Sequence, residues 1–411
     1  MAADGIERER MRTRVWIAAA LALAATAAGF GWREARQAGV DTATRVAGTD
    51  AARMRPAAGD ETANAGADRE AAASPSRPWP AGCDVERAEE ELAASDRERA
   101  LAMARQPDAR SRLFAAYLLD GVGDDELAVA ARESARADAL RLPSEDPLVL
   151  WAQVSECEEE ENCRRADALA GLQALEPDNA AVWLAGLRDS ADGDAEGLAA
   201  NDTLLRRAAQ ARHYRTAFGD FGQAALTAWS RVPMAPPSEC AMRVYAARNE
   251  IDSWEPQWYA GARAMDLAVA TSLPSYGPLM ALCRSPRRER RDVCLSVFGL
   301  MARSPDLMDR LVGQHAGTPL AADGPDALAW RERVRELSWL SAQFPGMRGR
   351  PLPPDWFERV FRQGEMPALE AWLTEQGLPT QPPPNWLPDN PRQRALILTG
   401  HPPPPSAPAA R

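Results

Sequence analysis

The chain has 411 residues, is 45% hydrophobic and carries a formal net charge of −11. It contains no lysine; all 48 basic residues are arginine. This excludes a P-loop lysine, a Schiff-base lysine and a kinase-type phosphate lysine, and the acidic balance lacks the electrostatic footprint of a nucleic-acid binder.

Residues 1–14 read as a cytoplasmic tail. Arg8, Arg10, Arg12 and Arg14 stand before an uncharged stretch of 18 residues, Val15 to Trp32, of which eight are Ala. A spanning helix needs about 20 apolar residues. Residues 15–32 therefore read as a single-pass transmembrane helix in a bacterial inner membrane. Ala25-Thr26-Ala27 also fits a small-x-small cleavage site, so a cleaved signal peptide and a soluble periplasmic product are the alternative. In both cases the arginines stay inside and everything after Trp32 is exported to the periplasm.

Residues 33–78 contain no aromatic side chain and balance seven Arg against seven acidic residues. Such a segment buries too little apolar surface to offset the entropy of ordering, and it reads as a flexible, disordered linker.

From Trp79 the texture changes, with 11 of the 13 Trp at or beyond it. Helix signals recur through 79–345. Ser95 with Glu98 fits a capping box. Asp146-Pro147 and Ser304-Pro305 each place an N-cap before a first-turn proline. Trp258, Ala262, Met265 and Val269 form one helical stripe, and Trp330, Val334, Leu337 and Phe344 another. Strand-type alternation is scarce. The fold class is all-α, with helix expected from about Cys83 to about Gln376.

Asp146 to Trp151 aligns with Asp178 to Trp183 at a spacing of 32, and Gln106-Pro107-Asp108 with Leu113, Phe114 and Tyr117 is a weaker earlier copy. On these residues, and on Leu175-Glu176-Pro177-Asp178-Asn179 with the turn Asp192-Gly193-Asp194, the stretch from Pro107 to Tyr214 resembles tetratricopeptide-like solenoids. The family's Trp-Leu-Gly-Tyr set is not present. The resemblance implies stacked helix pairs and a concave surface that binds proteins or peptides.

Residues 346–398 read as an aromatic-rich helical C-terminal module. One helix runs from Asp355 to a stop at Gly364, a second from Pro367 to Gln376, and Trp356, Phe357, Phe361 and Trp372 supply aromatic faces. Pro382 to Pro384 and the Pro-rich tail 399–411 are expected to be extended.

Six cysteines in an exported chain read as disulfides. Cys157 and Cys163 flank four glutamates where two antiparallel helices should meet, and pair there. Cys283 and Cys294 pair if Arg284 to Arg291 is a loop; the pair fails if Ser285-Pro286 starts a helix. Cys83 and Cys240 pair by elimination. No metal or cofactor is expected, since there is no Cys-x-x-Cys and no His-Glu-x-x-His. His213, His315 and His401 lack partners at motif spacing, so no catalytic residue is named. Arg287, Arg288, Arg290 and Arg291 form a basic cluster in what reads as a solvated loop. The functional expectation is a membrane-tethered periplasmic helical-repeat protein that binds an unidentified protein or peptide. The alternative is an envelope enzyme, such as a cell-wall hydrolase, with an acidic site; it would show a deep pocket with clustered carboxylates.

Overall fold

The computed structural model describes residues 82–122, 125–141, 143–156, 164–188, 195–233, 235–248, 256–272, 276–284, 288–343 and 352–403. All of these fall in one compact unit, Trp79–Arg411. The anchor or signal segment 15–32, the linker 33–78, the pair Cys157 and Cys163, and the turn Asp192 to Asp194 lie outside the described residues. Among those described, no helix is long and apolar enough to cross a membrane.

Every regular element among the described residues is an α-helix, 17 in all. In chain order they are α1 Val85–Ala104, α2 Ala109–Val122, α3 Glu126–Arg141, α4 Pro147–Glu156, α5 Arg165–Leu175, α6 Ala180–Leu184, α7 Ala195–Gln210, α8 Phe218–Ser230, α9 Glu239–Arg248, α10 Pro256–Ser272, α11 Gly277–Cys283, α12 Arg288–Met301, α13 Leu307–Ala321, α14 Ala327–Gln343, α15 Trp356–Gln363, α16 Glu365–Glu375 and α17 Pro391–Thr399. The one β feature among them is an isolated bridge between Asn179 and His213.

Local chemistry explains most helix starts. Asp84 caps α1 by accepting the Arg87 N–H at 3.2 Å. Asp146 accepts the Leu148 N–H at 3.0 Å, with Pro147 as the first helical residue of α4. An N-cap carboxylate satisfies a donor that the helix leaves orphaned. Two cap signals misled. Ser95 and Glu98 lie inside α1, because Asp84 had already started that helix about three turns earlier. Ser304 does not cap α13; Asp306 is its flanking residue, and Ser304 Oγ instead accepts the Asp306 N–H at 3.2 Å.

The aligned repeat is shifted by one residue in three dimensions. Asp146 caps α4, but the cap of α6 is Asn179, which accepts the Ala181 N–H at 3.1 Å. Trp151 therefore sits five positions after its cap and Trp183 four, a rotation of about 100° on a helix. Trp151 turns into the core, whereas Trp183 is half-buried and donates its indole N–H to Pro177 O at 2.9 Å. The α10 stripe is rotated in the same sense. Trp258, Gly261, Ala264, Leu267 and Ala268 are buried, while Ala262, Met265 and Val269 are only half-buried.

Consecutive helices pack on one another: α1 on α2, α2 on α3, α4 on α5, α6 on α7, and α12 through α14 in succession. That much is compatible with a stack of helical repeats. Other contacts join helices distant in sequence. α9 lies on α1, α7 on α12, and α15 on both α8 and α10. α8 is the hub. Its Phe218, Phe221, Gly222, Ala225, Ala228 and Trp229 are buried, and it touches α1, α2, α10 and α15.

The aromatic C-terminal helices are part of this core. Phe361 and Trp372 are 2% and 1% exposed. Phe361 packs on Phe218 with ring centroids 6.2 Å apart, and Phe357 on Trp258 at 5.1 Å. Glycine makes the approach possible, since a Cβ at Gly219 or Gly222 would collide with Phe361 and one at Gly261 with Phe357. Gly364 joins α15 to α16 at φ 95°, a conformation that favours glycine, and a Cβ there would strike Pro305. Residues 352–398 thus share their core with the rest of the unit. Helix continues beyond Gln376, the expected end of the helical span, in α17, where Asn390 caps and Pro391 opens the helix. Its Leu396 and Ile397 pack on Val334.

A buried polar lock holds α1 to the core. Asp96 is fully buried and accepts from Arg263 Nε at 2.8 Å and from the same guanidinium's Nη2. Arg99 stacks 4.5 Å above Trp229 and donates to Trp229 O and Val232 O, each at 2.9 Å, closing the end of α8.

Two cysteine pairs lie at disulfide distance. Cys83 and Cys240 have Cα atoms 5.6 Å apart and join the start of α1 to α9; Cys283 and Cys294 have Cα atoms 5.8 Å apart. The second pair meets by a different route from the one expected. α12 begins at Arg288, so Cys294 lies almost two turns inside the helix. The end of α11 reaches that turn because α11 packs along α12.

Candidate functional site

The outer face of α8 lines a concavity of about 490 Å³. Asp220, Gln223, Ala224, Thr227 and Arg231 project from that face. Opposite stand Asp108 and Arg110 at the start of α2, and Pro147, Leu148 and Trp151 at the start of α4. Glu176 and the segment from His213 to Ala217 close one end. Its lining combines apolar side chains, among them Pro147, Leu148, Trp151 and Ala224, with charged side chains of both signs. Each lining arginine has a carboxylate: Arg110 with Asp146 at 2.5 Å, Arg215 with Asp220 at 2.9 Å, and Arg231 with Asp108 at 3.9 Å. Burial pushes the Asp108 carboxyl up, but the Ser111 N–H and hydroxyl and the charge of Arg231 outweigh it and leave it below the ordinary range.

Asn179 positions the segment that closes the groove. It is 1% exposed and spends its whole side-chain amide on neighbours. Its Nδ2 donates to Arg215 O at 2.8 Å and to Glu176 Oε2 at 2.7 Å. Its Oδ1 accepts the N–H groups of Arg215 at 3.0 Å and Ala181 at 3.1 Å. Backbone bonds from Arg212 and His213 to Asp178 O, and from Ala180 to His213 O, complete the clamp. Four residues, Arg212 to Arg215, are thereby held in a defined non-helical path.

On the inner side of that segment lies a buried acidic cluster. Asp306 and Asp309 are 6% and 1% exposed. Tyr276 donates to Asp309 Oδ1 at 2.6 Å and Ser304 to Oδ2 at 3.1 Å. Thr216 donates to Asp306 Oδ2 at 3.3 Å. Glu365 accepts the Leu307 N–H at 2.9 Å and so caps α13 from another helix. Burial raises the Asp309 carboxyl to about 7, with Asp306 adding to it and Tyr276 and Ser304 opposing. Burial likewise raises Asp306 to about 6 and Glu365 to about 7. Tyr214 and Tyr276 are driven well above their ordinary value, first by burial and next by Asp309. They remain hydroxyl donors to that carboxylate.

The basic cluster expected as a solvated loop is divided between structural duties. Arg290 pairs with Asp202 at 2.7 Å, tying α12 to α7. Arg291 donates to Leu320 O near the end of α13 at 2.9 Å. Arg287 lies outside the described residues. Of the histidines, His213 follows the end of α7 and lines the groove, with its backbone in the Asn179 clamp. Burial lowers His315 to about 4, so it is neutral inside α13. His401 is exposed beyond α17. Glu133 and Ser134, similar to the Glu-Ser of lytic transglycosylases although their flanks do not match, are on the exposed side of α3. Among the described residues no group of three or more His, Cys, Asp or Glu is arranged to hold a metal ion.

Sequence reasoning singled out Asn179 as part of a turn, but the groove residues of α8 carry no motif. Their signal was the spacing of Asp220, Gln223, Thr227 and Arg231 on one helix face, opposite Phe218, Phe221 and Gly222. Comparison with family models, with curated proteins and with solved structures found no match.

Proposed function

We propose that this is a periplasmic, membrane-tethered helical protein, built on a tetratricopeptide-like stack, that binds a peptide segment of another protein along the α8 groove. The observation that carries this reading is the groove itself: apolar side chains beside paired charges, on helices whose other faces are locked in the core. Binding sites are concave and pre-formed, with polar groups placed to fix orientation. Exposed pairs exchange partners at little expense, since such pairs contribute about 0–1 kcal/mol each. The topology rests on the arginines before Val15 and the apolar run that follows.

The carboxylates of Asp306, Asp309 and Glu365 do not favour the hydrolase alternative. They are spent on Thr216, Tyr276, Ser304 and the Leu307 N–H, and Asp309 does not open to the groove.

A photo-crosslinking residue at Gln223 tests the binding reading in cells. A discrete adduct from Gln223, lost when Ala224→Trp fills the groove and absent with the crosslinker at exposed Leu328, is the expected result. Adducts of equal yield at both positions overturn it. A reporter active only in the periplasm, fused after Pro78, tests the topology. A reporter signal confined to the cytoplasm overturns that part.

A further inference from the structure

Beside the main groove lies a second, smaller cavity of about 210 Å³, lined by Arg212, His213, Tyr214, Arg215, Leu300, Arg303 and Pro305. It shares His213 and Arg215 with the first, so the two adjoin at the Asn179 clamp. Their charge differs. The groove balances Arg110, Arg215 and Arg231 against Asp108, Glu176 and Asp220. The small cavity has three arginines and a histidine on its walls and no carboxylate.

Resting on the groove reading above, we infer that this cavity receives an acidic side chain of the bound peptide, so that the site selects acidic segments. Three features support it. First, Arg212 pairs with Asp178 at 3.3 Å, with the two side chains 82% and 51% exposed, and Arg215 pairs with Asp220 with 48% and 59% exposed. Such surface pairs are weak and a carboxylate arriving in the cavity competes with them readily. Guanidinium groups offer planar donor pairs that match a carboxylate, and several on one concave wall focus its field. Second, the wall is held still before binding. The Asn179 clamp fixes the backbone of residues 212 to 215, so little order has to be created on association. Third, the competing negative ends are already satisfied. The carbonyls of Leu300 and Met301 at the end of α12 accept the N–H groups of Arg303 and Ser304. The Tyr214 hydroxyl is turned away to Asp309.

The test is calorimetric titration of the full chain in a non-ionic detergent with two capped octapeptides. One alternates Leu with Glu; the other replaces each Glu with Gln. The expected result is at least about tenfold tighter binding of the Glu peptide, weakening as salt rises from 50 to 200 mM through screening. Arg303→Glu and, separately, Arg212→Glu should abolish that tenfold preference, weakening the Glu peptide far more than the Gln peptide. Arg303→Gln should give an intermediate loss, which distinguishes lost charge from misfolding. Equal affinity for the two peptides overturns the inference and leaves the groove reading standing. Displacement of the Glu peptide by an equal concentration of inorganic phosphate also overturns it, since the cavity is then a free-anion site. If neither peptide binds, the groove reading fails and the inference with it.

Discussion

Two buried polar clusters in this molecule solve the same problem in opposite ways. At Asp96 a fully buried carboxylate faces Arg263. Burial opposes the charge on Arg263, but Asp96 and then Tyr259 and Asp266 outweigh it and hold its pKa well above the ordinary value. That cluster answers burial with a counter-charge. Around Asp309 three carboxyls gather with hydroxyls and one backbone N–H, and no guanidinium bonds to them directly. Burial raises all three into the range of about 6 to 7. That cluster answers burial by holding protons. The difference shows that a buried acid is tolerated by pairing or by neutralisation, and that only the second choice makes stability depend on pH near neutrality.

The contrast can be broken most forcefully at Arg263. Arg263→Met leaves Asp96 buried without a counter-charge, and such a loss typically costs about 3–5 kcal/mol. The urea midpoint should fall sharply. The double variant Asp96→Leu with Arg263→Met should recover most of it, because an apolar pair of similar volume removes the unpaired charge. A double variant no more stable than Arg263→Met would show that packing, not charge, was lost.

The acidic cluster should reveal itself as a pH slope. Its folded pKa values lie above the unfolded value of about 3.9–4.3 for carboxyls. The folded state then binds more protons than the unfolded one between about pH 4 and pH 7. Its contribution is fully present below the unfolded pKa and is lost as pH rises through about 7. Unfolding free energy should therefore decline from pH 5 to pH 8. A fully buried carboxyl loses about 1.4 kcal/mol for each pH unit that separates its folded pKa from its unfolded one. Asp309→Asn keeps an acceptor for Tyr276 and reverses the Ser304 bond, whose Oγ then accepts from the amide N–H; it should flatten the slope while raising stability at pH 8. A profile unchanged by Asp309→Asn would place the slope elsewhere.

A smaller effect is expected outside both clusters. Replacing Cys283 and Cys294 with Ser opens a loop shorter than 15 residues, so the loss should be below about 3 kcal/mol. Amide exchange should quicken in α11 first. The pH slope should not change, and if it does the two clusters are not independent of α11.

The comparison also marks where sequence reading succeeds. Asp146-Pro147 and Asp355 to Gly364 announced helix boundaries through local chemistry, and the structure has helices there. Asn390-Pro391 with Gly400 carried the same signals, but no helix was named there and the expected helical span ended near Gln376. The α10 and repeat stripes were found in the right helices with the wrong face. A stripe of Trp258, Ala262, Met265 and Val269 is as periodic as the buried one beginning at the same Trp258, and only the position of Phe357 and Phe361 selects between them. The groove had no motif to read, because its residues come from α2, α4, α8 and two connecting segments.

The sequence by itself determined the helical class, the helix boundaries at Asp146-Pro147 and from Asp355 to Gly364, and the absence of lysine chemistry. These follow from composition and from interactions within a few residues. The tertiary structure alone decided that α8 is the hub, that Phe361 fills the space left by Gly219 and Gly222, that Asp96 meets Arg263 across 167 positions, and that Asn179 clamps Arg215. Those outcomes depend on which helix faces are brought together. Periodicity along one helix names a face, but only the neighbour that packs against it determines whether that face is core, lock or groove.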